Sequence, residues 1–257
     1  MNEPRGDVRV PAPVVLFDLD DTLMAHREAV EAGIVRHADD LGYAPAPDAE
    51  AMQRLWYELE ERHYHSYLAG ELTFEAQRRA RARDFAAAHG VELDDEAAGT
   101  WFSAYFERYR ESWSLHADAL PALDGIERSV PGVRFGIITN GELEFQTAKI
   151  VRLELPGRFA HVIASGAVGV TKPDAAIFRH ALEVFGADAP VTAAAYVGDR
   201  LITDAVGAAR AGLLGIWLNR LGAVPSDEEA AAAEASGVVE IAGLAELPTL
   251  LAERLRA

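Results

Sequence analysis

The chain has 257 residues, half of them apolar, enough for one sizeable core and a second, smaller unit. Its formal net charge is −17, from 24 basic against 41 acidic residues, a balance that repels polyanions and argues against nucleic acid as a partner. Cysteine is absent, which excludes disulfides, thiolate metal sites and cysteine nucleophiles. No run approaches the roughly 20 apolar residues that span a bilayer, and Met1 to Pro13 is polar and proline-rich, so the expectation is a cytoplasmic protein without membrane contact.

In chain order, the first apolar run is Val14 to Phe17, ending at Asp18. From Ala25 to about Leu115 there is no convincing strand. Val30, Gly33, Ile34, His37 and Leu41 form one helical stripe, and Met52, Leu55, Trp56, Leu59 and His63 form another. A third stripe, Trp101, Phe102, Tyr105, Phe106, Tyr109 and Trp113, predicts an aromatic core between helices. The polar segments Glu60 to His65 and Arg78 to Arg83 read as solvated helix faces.

Further apolar runs at Val133 to Ile138, Val162 to Ala164, Ala193 to Val197 and Leu213 to Leu218 suit buried strands of a parallel sheet. Between them Ile177, Phe178, Ala181, Leu182 and Phe185 share one helix face, with Gly186 placed to end the helix. Glu228 to Ala235 predicts a surface helix, and the leucines from Leu244 to Leu255 predict a closing amphipathic one with Pro248 near its start. Alternating strand and helix argues for an α/β fold, a doubly wound parallel sheet with a helical domain inserted after the first strand. The boundaries expected are 1–24 with 116–257 for the core domain and 25–115 for the helical one.

Four segments carry candidate chemistry. In Asp18-Leu19-Asp20-Asp21-Thr22 a hydrophobic strand runs into three carboxylates, where α/β folds bind ligands; so tight a cluster asks for a cation. Gly198 to Asp204 places Asp199 and Asp204 five residues apart after another buried strand. Alone it equally fits a helix N-cap followed by a surface Asp; beside the first segment it completes an oxygen-ligand Mg2+ site. Thr139-Asn140 ends a strand, and Lys172-Pro173 holds one of only two lysines in the chain, the other being Lys149. Neither of these is specific alone.

In this order the four segments resemble the motifs of the haloacid dehalogenase superfamily, over Val14 to about Leu218. The helical insert resembles that family's small cap domain, and Gly169 to Phe178 resembles its branch of small-molecule phosphatases. The resemblance implies a Mg2+-dependent phosphomonoester hydrolase acting on a small phosphorylated metabolite. Asp18 would be the nucleophile that forms an aspartyl-phosphate and Asp20 the general acid, then base. Thr139 and Asn140 would bind phosphoryl oxygens, while Lys172 would balance charge at Asp18 and the phosphate. Mg2+ would be held by the Asp18 carboxylate, the Asp20 carbonyl and Asp199, with Asp204 a ligand or a partner of the metal's waters. Four acidic side chains against one Mg2+ and one lysine leave roughly one negative charge uncompensated. Asp21 stands where many relatives have glycine, and both residues tolerate unusual backbone angles.

Within that family, dehalogenation is disfavoured because those relatives lack the second carboxylate, here Asp20. Phosphonate hydrolysis is disfavoured because the cap contains no lysine. A phosphomutase would keep all four motifs and differ only in replacing water by a second hydroxyl. A non-catalytic binding or regulatory protein on a phosphatase fold would be expected to have lost one of these carboxylates, and none is missing.

Overall fold

The computed structural model describes residues 10–43 and 49–255. Strand β1 (Ala12–Phe17) is followed by helices α1 (His26–Asp40), α2 (Ala49–Leu68), α3 (Phe74–Ala88), α4 (Asp95–Glu111) and α5 (Ala119–Ser129). Then come β2 (Arg134–Thr139), α6 (Leu143–Arg152), β3 (His161–Ala164), the single turn α7 (Ser165–Val168), α8 (Ala175–Asp188) and β4 (Val191–Gly198). A π-helical turn (Leu201–Val206) leads into α9 (Gly207–Arg210), β5 (Leu214–Leu218), α10 (Asp227–Ser236) and β6 (Val239–Ile241). A 3-10 turn (Leu244–Glu246) and α11 (Leu247–Arg254) close the chain. Two compact units result, 1–25 with 115–257, and 26–114.

In the first unit six strands form one sheet in the order β3-β2-β1-β4-β5-β6, every pair parallel. The doubly wound parallel α/β fold read from the sequence is therefore present. Both faces of β1 are covered, which is why Val14 to Phe17 are all apolar and fully buried. On one face Val14, Leu16, Ile138 and Tyr196 pack with Ile177, Phe178, Ala181 and Phe185 of α8. Gly136 is part of that fit, because a Cβ there would stand 2.7 Å from both Leu16 and Phe185. The order of connections reverses at β1, between β2 and β4, so a crevice opens at the carboxyl ends of these strands.

In the second unit α1 lies against α4, and Gly33 permits it: a Cβ there would come within 2.8 Å of the Tyr109 backbone. Trp56 is wholly buried among Phe85, Trp101 and Tyr105, with ring centroids 4.5 to 5.6 Å away. The aromatic stripe is core, as its spacing predicts. His37 belongs to the same core, and burial, against an opposing pull from Asp40, pushes its pKa down to about 4, so it stays neutral there.

Several expectations need correction. Gly186 does not end α8, which runs on to Asp188 and stops before Pro190, a residue whose missing N–H cannot continue a helix. Arg81 is not on a solvated face: it is buried, its guanidinium 3.7 Å above the Trp56 ring and its Nη1 2.8 Å from Glu60. Leu41 lies beyond the end of α1 and is exposed. Strand β6 had no sequence signal, being three residues long with Glu240 at its centre.

Candidate active site

Asp18 is the first residue past β1, its N–H continuing the ladder to the Val197 carbonyl at 2.8 Å. The parallel neighbours β1, β2 and β4 pair with Phe17 opposite Ile137 and Val197, so Asp18, Thr139 and Asp199 all lie at the carboxyl end of the sheet. Asp21 adopts φ 58°, so the left-handed conformation that Asp or Gly accepts is in fact required there. Its N–H donates to the Met24 carbonyl at 2.8 Å, which folds the turn after the aspartates.

Asp204 reaches the same place from the π-helical turn after β4. Its Oδ2 accepts from the Arg200 N–H at 3.0 Å, and a Cβ on Gly198 would overlap its side chain. Such π-helical turns are often found at functional sites. One oxygen each from Asp18, Asp199 and Asp204 lies within 4.8 Å of the others, a set of hard oxygen donors suited to a divalent cation. Burial, reinforced by its carboxylate neighbours and opposed by Lys172, raises the Asp18 pKa to about 7. Burial, then Asp18 and Asp204, raises Asp199 to about 8.

Lys172, 5% exposed, is the cation at the centre of this cluster. Its ammonium donates to Asp18 Oδ1 at 2.6 Å, Asp204 Oδ1 at 2.7 Å and the Tyr196 hydroxyl at 2.8 Å, using all three of its donors. Burial opposes its charge, but Asp18 and Asp204 outweigh burial and its pKa is raised. Tyr196 accepts from Lys172 and can donate to the Ile138 carbonyl at 3.0 Å, which ties the cluster to β2. Asn140 clamps the lysine's backbone: its amide donates to the Lys172 carbonyl at 3.1 Å and its Oδ1 accepts from the Lys172 N–H at 2.9 Å. Asn140, expected from the sequence to bind phosphoryl oxygens, has both side-chain polar atoms on the Lys172 backbone. Thr139 is buried at the end of β2.

The Asp20 carboxylate stands apart from the three-carboxylate cluster. Both of its oxygens accept from the Lys149 ammonium at 2.7 Å, and Oδ2 accepts from the Gln146 amide at 3.3 Å. Lys149, Gln146 and Tyr196 were not picked out from the sequence. For Lys149 a signal existed: it is one of two lysines among 24 basic residues, and both turn out to be buried against the aspartates of the first motif.

A family model for haloacid dehalogenase-like hydrolases matches residues 12–212. The chain belongs to the haloacid dehalogenase-like hydrolase family. As a hydrolase of that family it is 33% identical over 215 residues to a glyceraldehyde 3-phosphate phosphatase of Pyrococcus abyssi, covering 79% of this chain and 80% of that one. It is 39% identical over 125 residues to a phosphoserine phosphatase of Thermus thermophilus, about half of each chain (49% and 48%). The crystal structure of the HAD-hydrolase YfnB from Bacillus subtilis, bound to magnesium, shares the fold with a TM-score of 0.70 at 20% identity, covering 94% of this chain and 99% of that one. A 2-haloacid dehalogenase from Pseudomonas syringae aligns with a TM-score of 0.57 at 26% identity, over 95% and 99% of the two chains.

Proposed function

We propose that this hydrolase is a Mg2+-dependent phosphatase of small phosphorylated metabolites that works through an aspartyl-phosphate on Asp18. The observation that carries the reading is the buried Asp18 carboxylate, fixed 2.6 Å from the Lys172 ammonium beside two further carboxylates. The donor set fits Mg2+: it is all oxygen, and carboxylates gathered this tightly need more positive charge than Lys172 brings. Asp18, Asp199 and the Asp20 carbonyl would hold the ion, with Asp204 a ligand or a partner of its waters. When bound, Mg2+ supplies charge to offset the phosphoryl oxygens.

In the first step a carboxylate oxygen of Asp18 attacks phosphorus while the bond to the leaving oxygen breaks, and Asp20, carrying a proton, delivers it to that oxygen. In the second step Asp20 takes a proton from water, whose oxygen attacks phosphorus. The bond to Asp18 breaks, leaving inorganic phosphate and the free carboxylate. Lys172 would stabilise charge in both displacements, and the Thr139 hydroxyl would bind a phosphoryl oxygen. A carboxylic acid at Asp20 favours phosphoryl transfer over dehalogenation, because a halide leaves without a proton and an alkoxide does not.

The phosphatase relatives support a small, singly phosphorylated substrate, and glyceraldehyde 3-phosphate and phosphoserine are the first to assay. The helical unit would be the cap that selects among such substrates. The test is phosphate release from these compounds and from p-nitrophenyl phosphate, in Mg2+ and in EDTA, together with acid-quenched detection of phosphorylated Asp18. Activity that EDTA abolishes, that Mg2+ restores and that Asp199→Ala makes more Mg2+-demanding is the expected result. Full activity in chelator, or no phosphoprotein under rapid quench, would overturn the proposal.

A further inference from the structure

We infer that Lys149 and Gln146, one turn apart on α6, form a positioning pair that keeps the Asp20 carboxylate out of the metal-binding cluster and set for proton transfer; this rests on the phosphatase reading above. Asp18 and Asp20 are two residues apart, yet only Asp18 joins Asp199 and Asp204 in the cluster. Asp20 is turned instead to α6, where Lys149 grips both oxygens and Gln146 adds a third hydrogen bond.

The pair is built for this contact. Lys149 is 2% exposed, its ammonium also lies 4.8 Å from the centre of the Phe145 ring, and the side chain it holds is 28% exposed. An unpaired buried ammonium is costly, so the position would readily accept an apolar residue if its only task were packing. Gln146 has a matching accommodation, because a Cβ on Gly141 would stand 2.8 Å from its amide nitrogen. The glycine that follows the Thr139-Asn140 motif thus leaves room for the amide to reach Asp20. A compact ammonium can bridge both carboxylate oxygens from a helix at this distance, where the longer fork of arginine needs more space.

The consequence is a division of labour between neighbouring carboxylates. Lys172 holds Asp18 and Asp204 together, while Lys149 withholds Asp20 from that cluster. With Lys149 removed, Asp20 can rotate and reach the proton-transfer position only part of the time.

The experiment compares wild type, Lys149→Met, Lys149→Gln and Gln146→Leu on phenyl phosphate, whose leaving group needs a proton, and on p-nitrophenyl phosphate, whose leaving group needs less help. Formation of the aspartyl-phosphate is followed by rapid mixing. Loss of Lys149 should lower the phenyl phosphate rate about 10- to 100-fold, part of the range that acid–base help supplies, with KM within about twofold and a smaller loss for nitrophenolate release. Gln146→Leu should cost a few-fold in the same direction. In an Asp20→Asn background Lys149→Gln should cost nothing further, because a residue acting through Asp20 has no effect once Asp20 is disabled.

Equal losses on both substrates, or losses that add in the Asp20→Asn background, would overturn the inference and assign Lys149 to stability alone. If Lys149→Met fails to fold, Lys149→Gln and Gln146→Leu decide by the same ratio. A wild type without Mg2+-dependent phosphatase activity would overturn the phosphatase reading, and this inference with it, whereas an active wild type with additive losses overturns this inference only.

Discussion

Replacing Lys172 by Met removes the only lysine inside the three-carboxylate cluster while keeping the bulk of its stem. Asp18 and Asp204, 7% and 1% exposed, would then lose a partner at 2.6 and 2.7 Å and face each other across a buried space. Taking one partner from a buried, hydrogen-bonded ion pair typically costs about 3–5 kcal/mol, because the remaining charge cannot be solvated. At about 2–4 °C per kcal/mol for a chain near this size, melting in EDTA should fall by roughly 6–20 °C. Mg2+ should recover more of the melting temperature in the variant than in wild type, since the depleted cluster has more uncompensated negative charge. Turnover of p-nitrophenyl phosphate at saturating Mg2+ should fall by at least about 10²-fold, the scale for losing one preorganised charge at a reacting centre. Thermal unfolding in EDTA and in Mg2+, with steady-state kinetics on the same preparations, makes the comparison. A variant that melts within about 2 °C of wild type in EDTA, less than one kcal/mol on this scale, would refute the view of Lys172 as the neutralising centre of the cluster.

Three further outcomes follow from the same geometry. Asp18→Asn should abolish turnover and phosphoprotein formation while the far-ultraviolet circular dichroism is retained, since an amide cannot be the nucleophile. In chelator, stability should fall as pH rises from about 4 to about 8: folded Asp18 and Asp199, with pKa values raised to about 7 and about 8, retain protons that the unfolded chain releases near 3.8. The stabilisation gained on adding Mg2+ should grow over that window, and melting curves taken with and without the ion at each pH check both trends. Gly198→Ala should weaken Mg2+ binding and stability together, because its Cβ overlaps Asp204; calorimetric titration with Mg2+ beside a melting curve reads both.

The sheet was legible because a strand buried on both faces needs a continuous apolar run, and five of the six strands contain one. Strand β6 was not, because the last strand added at an edge can be short and carry Glu240. In the site, Asp18, Asp199 and Asp204 were legible because each directly follows a buried strand or the turn after one. Lys149 was not, because it meets Asp20 only where the packing of α6 brings together residues 129 apart in sequence. Arg81 shows the same limit in the helical unit. Its arginine-rich neighbourhood is mostly surface, and only the position of Trp56 and Glu60 makes this one arginine part of the core.

The restriction of lysine to two buried positions leaves the described surface with arginine as its positive charge and without an ε-amine. Amine-directed reagents therefore find, apart from the α-amino group, only Lys149 and Lys172, which are 2% and 5% exposed. Each can react only when its surroundings open. Acylation or reductive methylation should therefore be slow and would act as a clock for the breathing of the proposed catalytic centre, with the two labelled peptides telling its Asp18 side from its Asp20 side.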